Sequence, residues 1–268
     1  MTPTFHPVEN ETPKALTVDQ LSTYNELGYV EPLHLFSHDE ANAHRAYFDE
    51  LLSYFTDHGR GSYDINGFHA RCTPIYDIAT HPTLLDYIED LIGPNIICWG
   101  THYFCKLPGD VKRVAYHQDA TYWPFTPTKT VTAWLAIDDV NEGNGPMCFL
   151  PGSHLGGARS WHPVDKDVVL NQETDHLDSL APPHPVLLKA GQCSLHTDLL
   201  VHGSEANQSS TRRCGLTLRY VPSDVWIRDD QYKGWTRSAI VCRGGDPSGL
   251  WPCNPRPGNR FPQFSKPS

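Results

Sequence analysis

The chain lacks any apolar run that approaches the roughly 18 residues needed by a membrane-spanning helix. Its first residues also lack a basic segment followed by an apolar one, so no secretory signal is predicted. We therefore expect a soluble protein with no membrane partner.

Paired cysteines are missing as well. The eight cysteines are scattered between Cys72 and Cys253, with no C-x-x-C pair and no dense framework of the kind that cross-links small secreted domains. Reduced thiols in a cytoplasmic protein are the simplest interpretation.

Basic residues are in deficit. Lys plus Arg number 21 against 31 Asp plus Glu, which gives a formal charge of -10 and argues against broad binding to nucleic-acid backbones or anionic membranes. We expect a small-molecule partner and no nucleic acid. The sequence leaves monomer and homodimer equally open.

Histidine and large aromatic residues are plentiful, with 15 His, seven Trp and 12 Tyr. This composition suits a metal pocket walled by aromatic rings, although composition alone does not establish one. A β-rich fold of 268 residues can form one domain, so we expect a single domain spanning residues 1–268.

Helices are predicted in the first third of the chain, at about 17–92. Thr17 with Gln20, and Ser37 with Glu40, form capping boxes that each precede apolar residues at helical spacing. Pro82 opens a third apolar run that stops before Gly93. We expect three scaffold helices.

The pattern changes to short strands from Asn95, separated by Gly and Pro turns. The fold class predicted is mainly β with flanking helices (α+β), with a double-stranded β-helix, or cupin-like jelly roll, at about 95–221. Residues 155–184 have no clear period and are predicted to pass near the mouth of the site, whereas 222–268 form a tail or lid, with a packed tail favoured. The predicted strands lie at 96–99, 101–104, around His117, and at 131–137, 147–150, 185–188, 193–196 and 215–221.

A candidate metal site lies at His117 and Asp119. In an extended segment, side chains two apart face the same way, so one strand would supply two ligands. His202 would complete two histidines and one carboxylate, which leaves part of the coordination sphere of a non-haem iron(II) open. Arg213 is a candidate anchor for a carboxylate that binds this metal.

These residues have competitors. His196 precedes His202 by an even interval and would share its face on a continuous strand. Arg212 is adjacent to Arg213, and only one of the two can enter a pocket from a strand. Arg219 could also reach the site, although an ordinary salt bridge is the favoured role.

Taken together, the sequence resembles the phytanoyl-CoA dioxygenase family of iron(II)/2-oxoglutarate oxygenases. The resemblance runs from about residue 85 to residue 220. It rests on motifs that occur in the family order: Ile92-Gly93-Pro94-Asn95-Ile96, His117-Gln118-Asp119, Tyr122-Trp123-Pro124-Phe125, Ala133-Trp134, Asn144-Gly145, Pro151-Gly152-Ser153-His154 and His202-Gly203-Ser204.

The resemblance implies a cofactor, two co-substrates and their residues. His117, Asp119 and His202 match the Fe(2+) ligands, and Gly203 with Ser204 favours His202 over His196. Arg213 matches the arginine that binds the far carboxylate of 2-oxoglutarate, which leaves Arg212 as a solvated residue. Ser204, Trp134 and His102 match positions that line this co-substrate, although a histidine at the last departs from the expected apolar residue. O2 is the second co-substrate.

The family also implies the reaction, hydroxylation of an unactivated C–H bond with release of succinate and CO2. Related aliphatic halogenases carry a small residue where Asp119 stands, so its presence favours hydroxylation, with desaturation or ring formation as variants. Tyr122 and Trp123 are the first candidates for a substrate wall.

Two other functions stay open. A phytanoyl-CoA-type acyl-CoA hydroxylase would need a basic site for the CoA phosphates, for which Lys112 and Arg113 are the candidates. A metal-binding jelly roll without catalysis is the other. We expect an oxygenase that acts on a natural product or another small metabolite.

Overall fold

The computed structural model describes residues 3–227, 234, 236–252 and 254–264. Both predicted capping boxes form, and Gly28 ends the first helix with a φ of 88°, a conformation that glycine adopts readily. A fourth, short helix was not predicted. The helices are α1 Val18–Leu27, α2 His38–Asp57, α3 Thr73–Ala79 and α4 Pro82–Ile92.

The strands are short, with two exceptions, β2 and β12, which run side by side. In chain order they are β1 Tyr29–His34, β2 Ile96–Lys106, β3 Val114–His117, β4 Phe125–Thr126, β5 Val131–Ala136, β6 Met147–Phe149, β7 Trp161–Pro163, β8 Gln172–Thr174, β9 His184–Pro185, β10 Gln192–Thr197, β11 His202–Ser204, β12 Arg213–Pro222, β13 Trp226–Ile227 and β14 Ile240–Arg243.

Two antiparallel sheets form the jelly roll. The large sheet has the order β1-β10-β5-β12-β2-β14, and the small sheet has the order β3-β11-β6-β9. The predicted mainly β fold with flanking helices is therefore confirmed. Three predicted strands differ: the two at 96–99 and 101–104 are one continuous strand, and the one at 185–188 is reduced to β9.

The large sheet has an apolar outer face and a polar inner face. On β12, Leu216 and Leu218 belong to the main core, together with Phe48 and Leu51 of α2 and Ile88 of α4. Successive strand residues face opposite ways, so the odd-numbered residues of β12 face the interior of the jelly roll. The helices thus cover the apolar face, and the polar face is available for chemistry.

The segment after β12 packs against the rest of the molecule where it is described. Phe261 stacks on Tyr54 of α2, and Arg256 forms an ion pair with Asp77. Trp251 joins an aromatic cluster with Phe125, whereas Trp235 lies outside the described residues. None of the described helices has the length and apolar character to cross a membrane.

Candidate active site

Three side chains able to bind a metal meet inside the jelly roll. His117 ends β3 and His202 begins β11, and the two are register partners with ring centroids 4.3 Å apart. One candidate ligand atom from each of these histidines and one from Asp119 lie within 4.8 Å of one another, and all three residues are buried. Within the described part of the chain, this is the one group of its kind.

Asp119 reaches this cluster from a turn and not from the strand, which corrects the prediction. β3 ends at His117, and Asp119 is the first residue of a short 3-10 turn. Both side chains still converge because Gln118 keeps an extended backbone, with φ -107° and ψ 129°. The buried amide of Gln118 donates to the carbonyls of Gly157 and Leu199 at 3.0 and 2.6 Å, which holds the segment in place.

Both histidines are oriented by a carbonyl two residues earlier. Nδ1 of His117 lies 2.8 Å from the oxygen of Ala115, and Nδ1 of His202 lies 3.0 Å from that of Leu200. A hydrogen bond at Nδ1 assigns the proton to that nitrogen and leaves the lone pair of Nε2 free for a metal.

The protonation states of His202 and Asp119 also suit metal binding. Burial, followed by the charge of His117, lowers the pKa of His202 to about 4. Burial alone would raise the pKa of Asp119, but a hydrogen bond from His117 and the charges of His202 and Arg219 hold it below its ordinary value. Imidazole and carboxylate donors on one side of a site fit iron(II) with open positions.

Arg213 is buried on the inner face of β12. Its Nε and Nη2 donate to the carbonyl of Gly145 at 3.0 and 2.7 Å, and Nη2 lies 3.3 Å from Oγ of Ser204. Its guanidinium lies 5.7 Å from the centre of the Trp134 ring. Every polar partner the structure gives it is a neutral oxygen, so its positive charge remains available to an anion.

Gly215 makes room for this arrangement. A Cβ atom at this position would lie 2.0 Å from Cζ2 of Trp134, so the indole lies directly over the glycine backbone. The absence of a side chain therefore lets Trp134 approach the strand that carries Arg213.

Lys106 is a buried cation that the sequence analysis did not identify. It is the register partner of Arg213, and its Nζ donates to the carbonyl of Ser204 at 3.2 Å and to that of Glu205. Burial, with a smaller contribution from Arg213, lowers the pKa of Lys106 to about 7. Lys106 lies two residues after Phe104 on β2, so both side chains face inward. This spacing was the sequence signal that could have predicted its position.

The site consists of two adjoining cavities. The inner cavity contains the three metal-binding candidates, Arg213, Ser204 and Trp134. The outer cavity, of about 420 Å³, contains His102, Tyr122 and Trp123. Asp119, Phe104 and Arg219 line both. Five other residues of the inner cavity were not predicted as site residues: Phe104, Val114, Thr132, Met147 and Thr217.

Tyr122 and Trp123, two of the predicted substrate residues, line the outer cavity, and His102 lies with them instead of beside Arg213. Nε2 of His102 is 2.8 Å from the carbonyl of Tyr63. Tyr122 accepts a hydrogen bond from the backbone N–H of Gln172 at 2.9 Å, which brings β8 of the 155–184 segment to the site mouth. Trp123 packs edge-on against Trp99 with centroids 4.8 Å apart.

His196 differs from its prediction. β10 ends at Thr197 and β11 begins at His202, so His196 and His202 lie on different sheets and the argument from a continuous strand fails. His196 lines the inner cavity, and both of its ring nitrogens are buried without a hydrogen-bond partner. Burial, then the charge of His202, lowers the pKa of His196 well below its ordinary value.

The two other arginines also differ. Arg212 faces away from the cavities as predicted, but it is not solvated: its Nε lies 2.8 Å from Oδ2 of Asp138, and its guanidinium lies over Phe48. The salt bridge expected for Arg219 is absent among the described residues. Its guanidinium lies over the rings of Trp99 and Trp123 instead.

A jelly roll with two histidines and a carboxylate gathered inside it is the arrangement of the non-haem iron oxygenases. The family model for phytanoyl-CoA dioxygenase (PhyH) matches residues 24–215. The chain therefore belongs to the phytanoyl-CoA dioxygenase family, whose enzymes are dioxygenases that depend on iron(II), 2-oxoglutarate and O2.

Individual relatives agree with this placement. Peroxisomal phytanoyl-CoA dioxygenase of Homo sapiens is 29% identical over 164 residues, 58% of this chain and 48% of the human protein. Phytanoyl-CoA dioxygenase domain-containing protein 1 of Danio rerio is 32% identical over 165 residues, 57% of this chain and 55% of that protein. The matches thus span about half the length of these two relatives.

Solved structures show the same fold. The non-heme monooxygenase ThoJ, in its apo form, superposes with a TM-score of 0.77 and 27% identity, over 89% of this chain and 88% of that one.

Proposed function

We propose that the protein is an iron(II)/2-oxoglutarate-dependent dioxygenase that hydroxylates an unactivated C–H bond of a small molecule. The balanced reaction converts R–H, 2-oxoglutarate and O2 into R–OH, succinate and CO2. The observation that supports it most is the common cavity of the His117, Asp119 and His202 cluster and the buried Arg213.

Each residue has a role in this proposal. His117, Asp119 and His202 would hold Fe(2+), which supplies the coupling of 2-oxoglutarate decarboxylation to substrate oxidation. Arg213 would bind the far carboxylate of 2-oxoglutarate through two parallel hydrogen bonds, assisted by the hydroxyl of Ser204.

The surrounding rings complete the site. Trp134 would form an apolar wall beside the bound co-substrate, and the outer cavity would receive the substrate, with Tyr122 and Trp123 in its wall. We propose that residues 1–268 form one catalytic domain. The predicted division into a core at 95–221 and a tail is too simple, because β14 lies after residue 222 and belongs to the large sheet. The seven described cysteines are all free thiols, which supports a cytoplasmic location.

The test uses protein reconstituted with iron(II) without oxygen. Addition of 2-oxoglutarate should produce a weak visible metal-to-ligand charge-transfer band, and Arg213→Ala should weaken it. Arg212→Ala is the control, because this neighbouring arginine faces away from the cavity and should leave the band unchanged. If iron-loaded wild-type protein showed no band, the iron would not be open to a keto acid and the proposal would be wrong.

The acyl-CoA alternative has less support. Nη2 of Arg113 lies 3.2 Å from Oε2 of Glu173, so this side chain is already paired, and Lys112 alone remains as a landing site for CoA phosphates. A thermal midpoint unchanged by CoA would count against it. Steady production of succinate would exclude the other alternative, a metal-binding jelly roll without catalysis.

A further inference from the structure

Arg219 occupies a specific place on the inner face of β12. Its register partners are Gly100 on one side and Thr132 on the other. The hydroxyl of Thr132 lies 3.3 Å from Oδ2 of Asp119. Arg219 therefore lies on the strand next to Thr132, whose hydroxyl contacts the candidate metal ligand Asp119. Arg219 also lines both cavities.

The guanidinium of Arg219 forms no salt bridge with a described residue, and the anion whose charge acts on it is the carboxylate of Asp119, a candidate metal ligand. Its Nε is buried without a hydrogen-bond partner, and its neighbours are the ring faces of Trp99 and Trp123 at 5.7 and 5.1 Å. Contacts with rings stabilise a cation only modestly, and a buried donor without an acceptor is costly. The environment thus leaves Arg219 without a hydrogen-bonded anion of its own beside the outer cavity, since the nearby carboxylate of Asp119 is a candidate metal ligand.

The fold keeps space for this side chain. A Cβ atom at Gly100 would lie 3.7 Å from both Cδ and Nη1 of Arg219, so the guanidinium occupies the room that a larger residue would fill. Gly100 lies in the middle of an otherwise large-residue strand, β2, where glycine weakens the strand and marks a close approach. The local sequence is therefore suited to an inward-facing arginine.

The lining of the outer cavity indicates which chemical groups a ligand beside Arg219 would carry. Trp99, Trp123, Tyr122 and Phe104 provide ring surfaces, and Leu170 closes the cavity from the 155–184 segment. Rings of this kind stack on flat or apolar groups. A ligand that contacts both these walls and Arg219 would combine a ring or apolar body with an anionic group.

We infer that Arg219 binds an acidic group of the substrate, and that the substrates are small organic acids whose ring or apolar body packs on Tyr122 and Trp123. The inference rests on the proposed function and specifies its substrate class. A guanidinium can hold a carboxylate with two parallel hydrogen bonds, which fixes the orientation of the acid as well as its charge. The group to be oxidised would then lie beside Asp119 at the junction of the cavities.

The test compares two probes of nearly the same shape, the anionic 2-naphthoate and the neutral 2-naphthamide. Their affinities for the iron(II) and 2-oxoglutarate-loaded full chain are measured by calorimetry without oxygen. Wild type should prefer the acid by about ten- to a hundredfold, the range that a hydrogen bond to a charged group supplies. Arg219→Gln should abolish this preference, and Arg219→Lys should keep part of it.

Two controls separate Arg219 from its neighbours. Arg212→Gln removes an adjacent arginine outside both cavities and should leave the preference unchanged. The affinity for 2-oxoglutarate, titrated separately, should be the same in Arg219→Gln as in wild type.

Equal affinity of wild type for the two probes, or binding of neither, would overturn the inference. So would an Arg219→Gln variant that loses 2-oxoglutarate affinity and retains the preference, because Arg219 would then serve the co-substrate. Repeating the titrations on metal-free protein keeps this result separate from the proposed function, since probe binding needs neither iron nor turnover.

Discussion

Arg213 and Arg219 lie on the same face of the same strand, yet their surroundings differ. Arg213 is held by the carbonyl of Gly145 and the hydroxyl of Ser204, whereas Arg219 is held by two rings and leaves Nε without a partner. A guanidinium fixed by neutral acceptors is organised before its ligand arrives. Under the proposed function, Arg213 marks a co-substrate end that is organised before its ligand binds, and Arg219 marks a substrate end that lacks an acceptor until its ligand binds.

The largest effect is expected at the glycines near these two arginines, Gly215 on the same strand as Arg213 and Gly100 on the strand beside Arg219. Gly215→Ala would bring Cβ within 2.0 Å of the Trp134 ring, so we expect a destabilisation of about 1–3 kcal/mol and a loss of 2-oxoglutarate binding. Gly100→Ala, whose Cβ would meet Arg219 at 3.7 Å, should leave 2-oxoglutarate binding intact. Denaturant unfolding measures the stability of the two variants, and the charge-transfer titration measures their 2-oxoglutarate binding. If both variants lost 2-oxoglutarate binding equally, the distinction between the surroundings of Arg213 and Arg219 would be wrong.

The next effect concerns Asp119 of the candidate metal site. Thr132→Val removes the hydroxyl next to Asp119 with little change of shape, and we expect about a tenfold loss of iron(II) affinity. Thr217→Val is the matched control, because this inner-face hydroxyl donates to the carbonyl of His102. Competition with a chelator measures the affinities. A larger loss in the control would show that Thr132 does not support the carboxylate.

A pH effect should distinguish the co-substrate end. Lys106, whose pKa is about 7, is charged below that pH and neutral above it. An anion near Arg213 favours the charged form, so the affinity for 2-oxoglutarate should fall as the pH rises, by about three- to tenfold between pH 6 and 8. Lys106→Met should flatten this profile. An unaltered profile in the variant would assign the pH dependence to another group.

The smallest effect is expected at the mouth of the outer cavity. Tyr122→Phe removes the acceptor of the Gln172 N–H and should weaken the local attachment of β8 by about 0.5–1.5 kcal/mol. Hydrogen exchange at the Gln172 amide should become faster, while the thermal midpoint changes little. Exchange as slow as in wild type would mean that the remaining contacts, such as Thr121 with the Gln172 side chain, hold the segment alone.

Local signals explain which helices and strands the sequence could predict. The capping boxes at Thr17 and Ser37 act through neighbouring residues, and both form as predicted. β1 was missed because it contains Pro32, which an edge strand tolerates but which resembles a loop in sequence. Gly100 suggested a break within β2, although the strand continues through it.

The site shows the same limit. The spacing of His117 and Asp119 correctly indicated that the two side chains converge, but the turn that carries Asp119 depends on the distant carbonyls that bind Gln118. The ion pair of Arg212 with Asp138 and the contacts of Arg219 with the rings of Trp99 and Trp123 both depend on residues far apart in the chain. Sequence patterns predict the face of a strand on which a side chain lies, but its contact partners depend on the tertiary fold.

Because Arg213 and Arg219 both belong to β12, the geometry of this strand fixes the distance between their backbones. Six residues at about 3.3 Å each place their Cα atoms about 20 Å apart, and both side chains line the cavity that contains the candidate metal ligands. Positions on one face recur every second residue, so moving the acid-binding arginine to position 217 would shift it by about 6–7 Å. The distance between a substrate's acidic group and its oxidised carbon would therefore change in discrete steps, and finer adjustment would fall to the rings of the outer cavity.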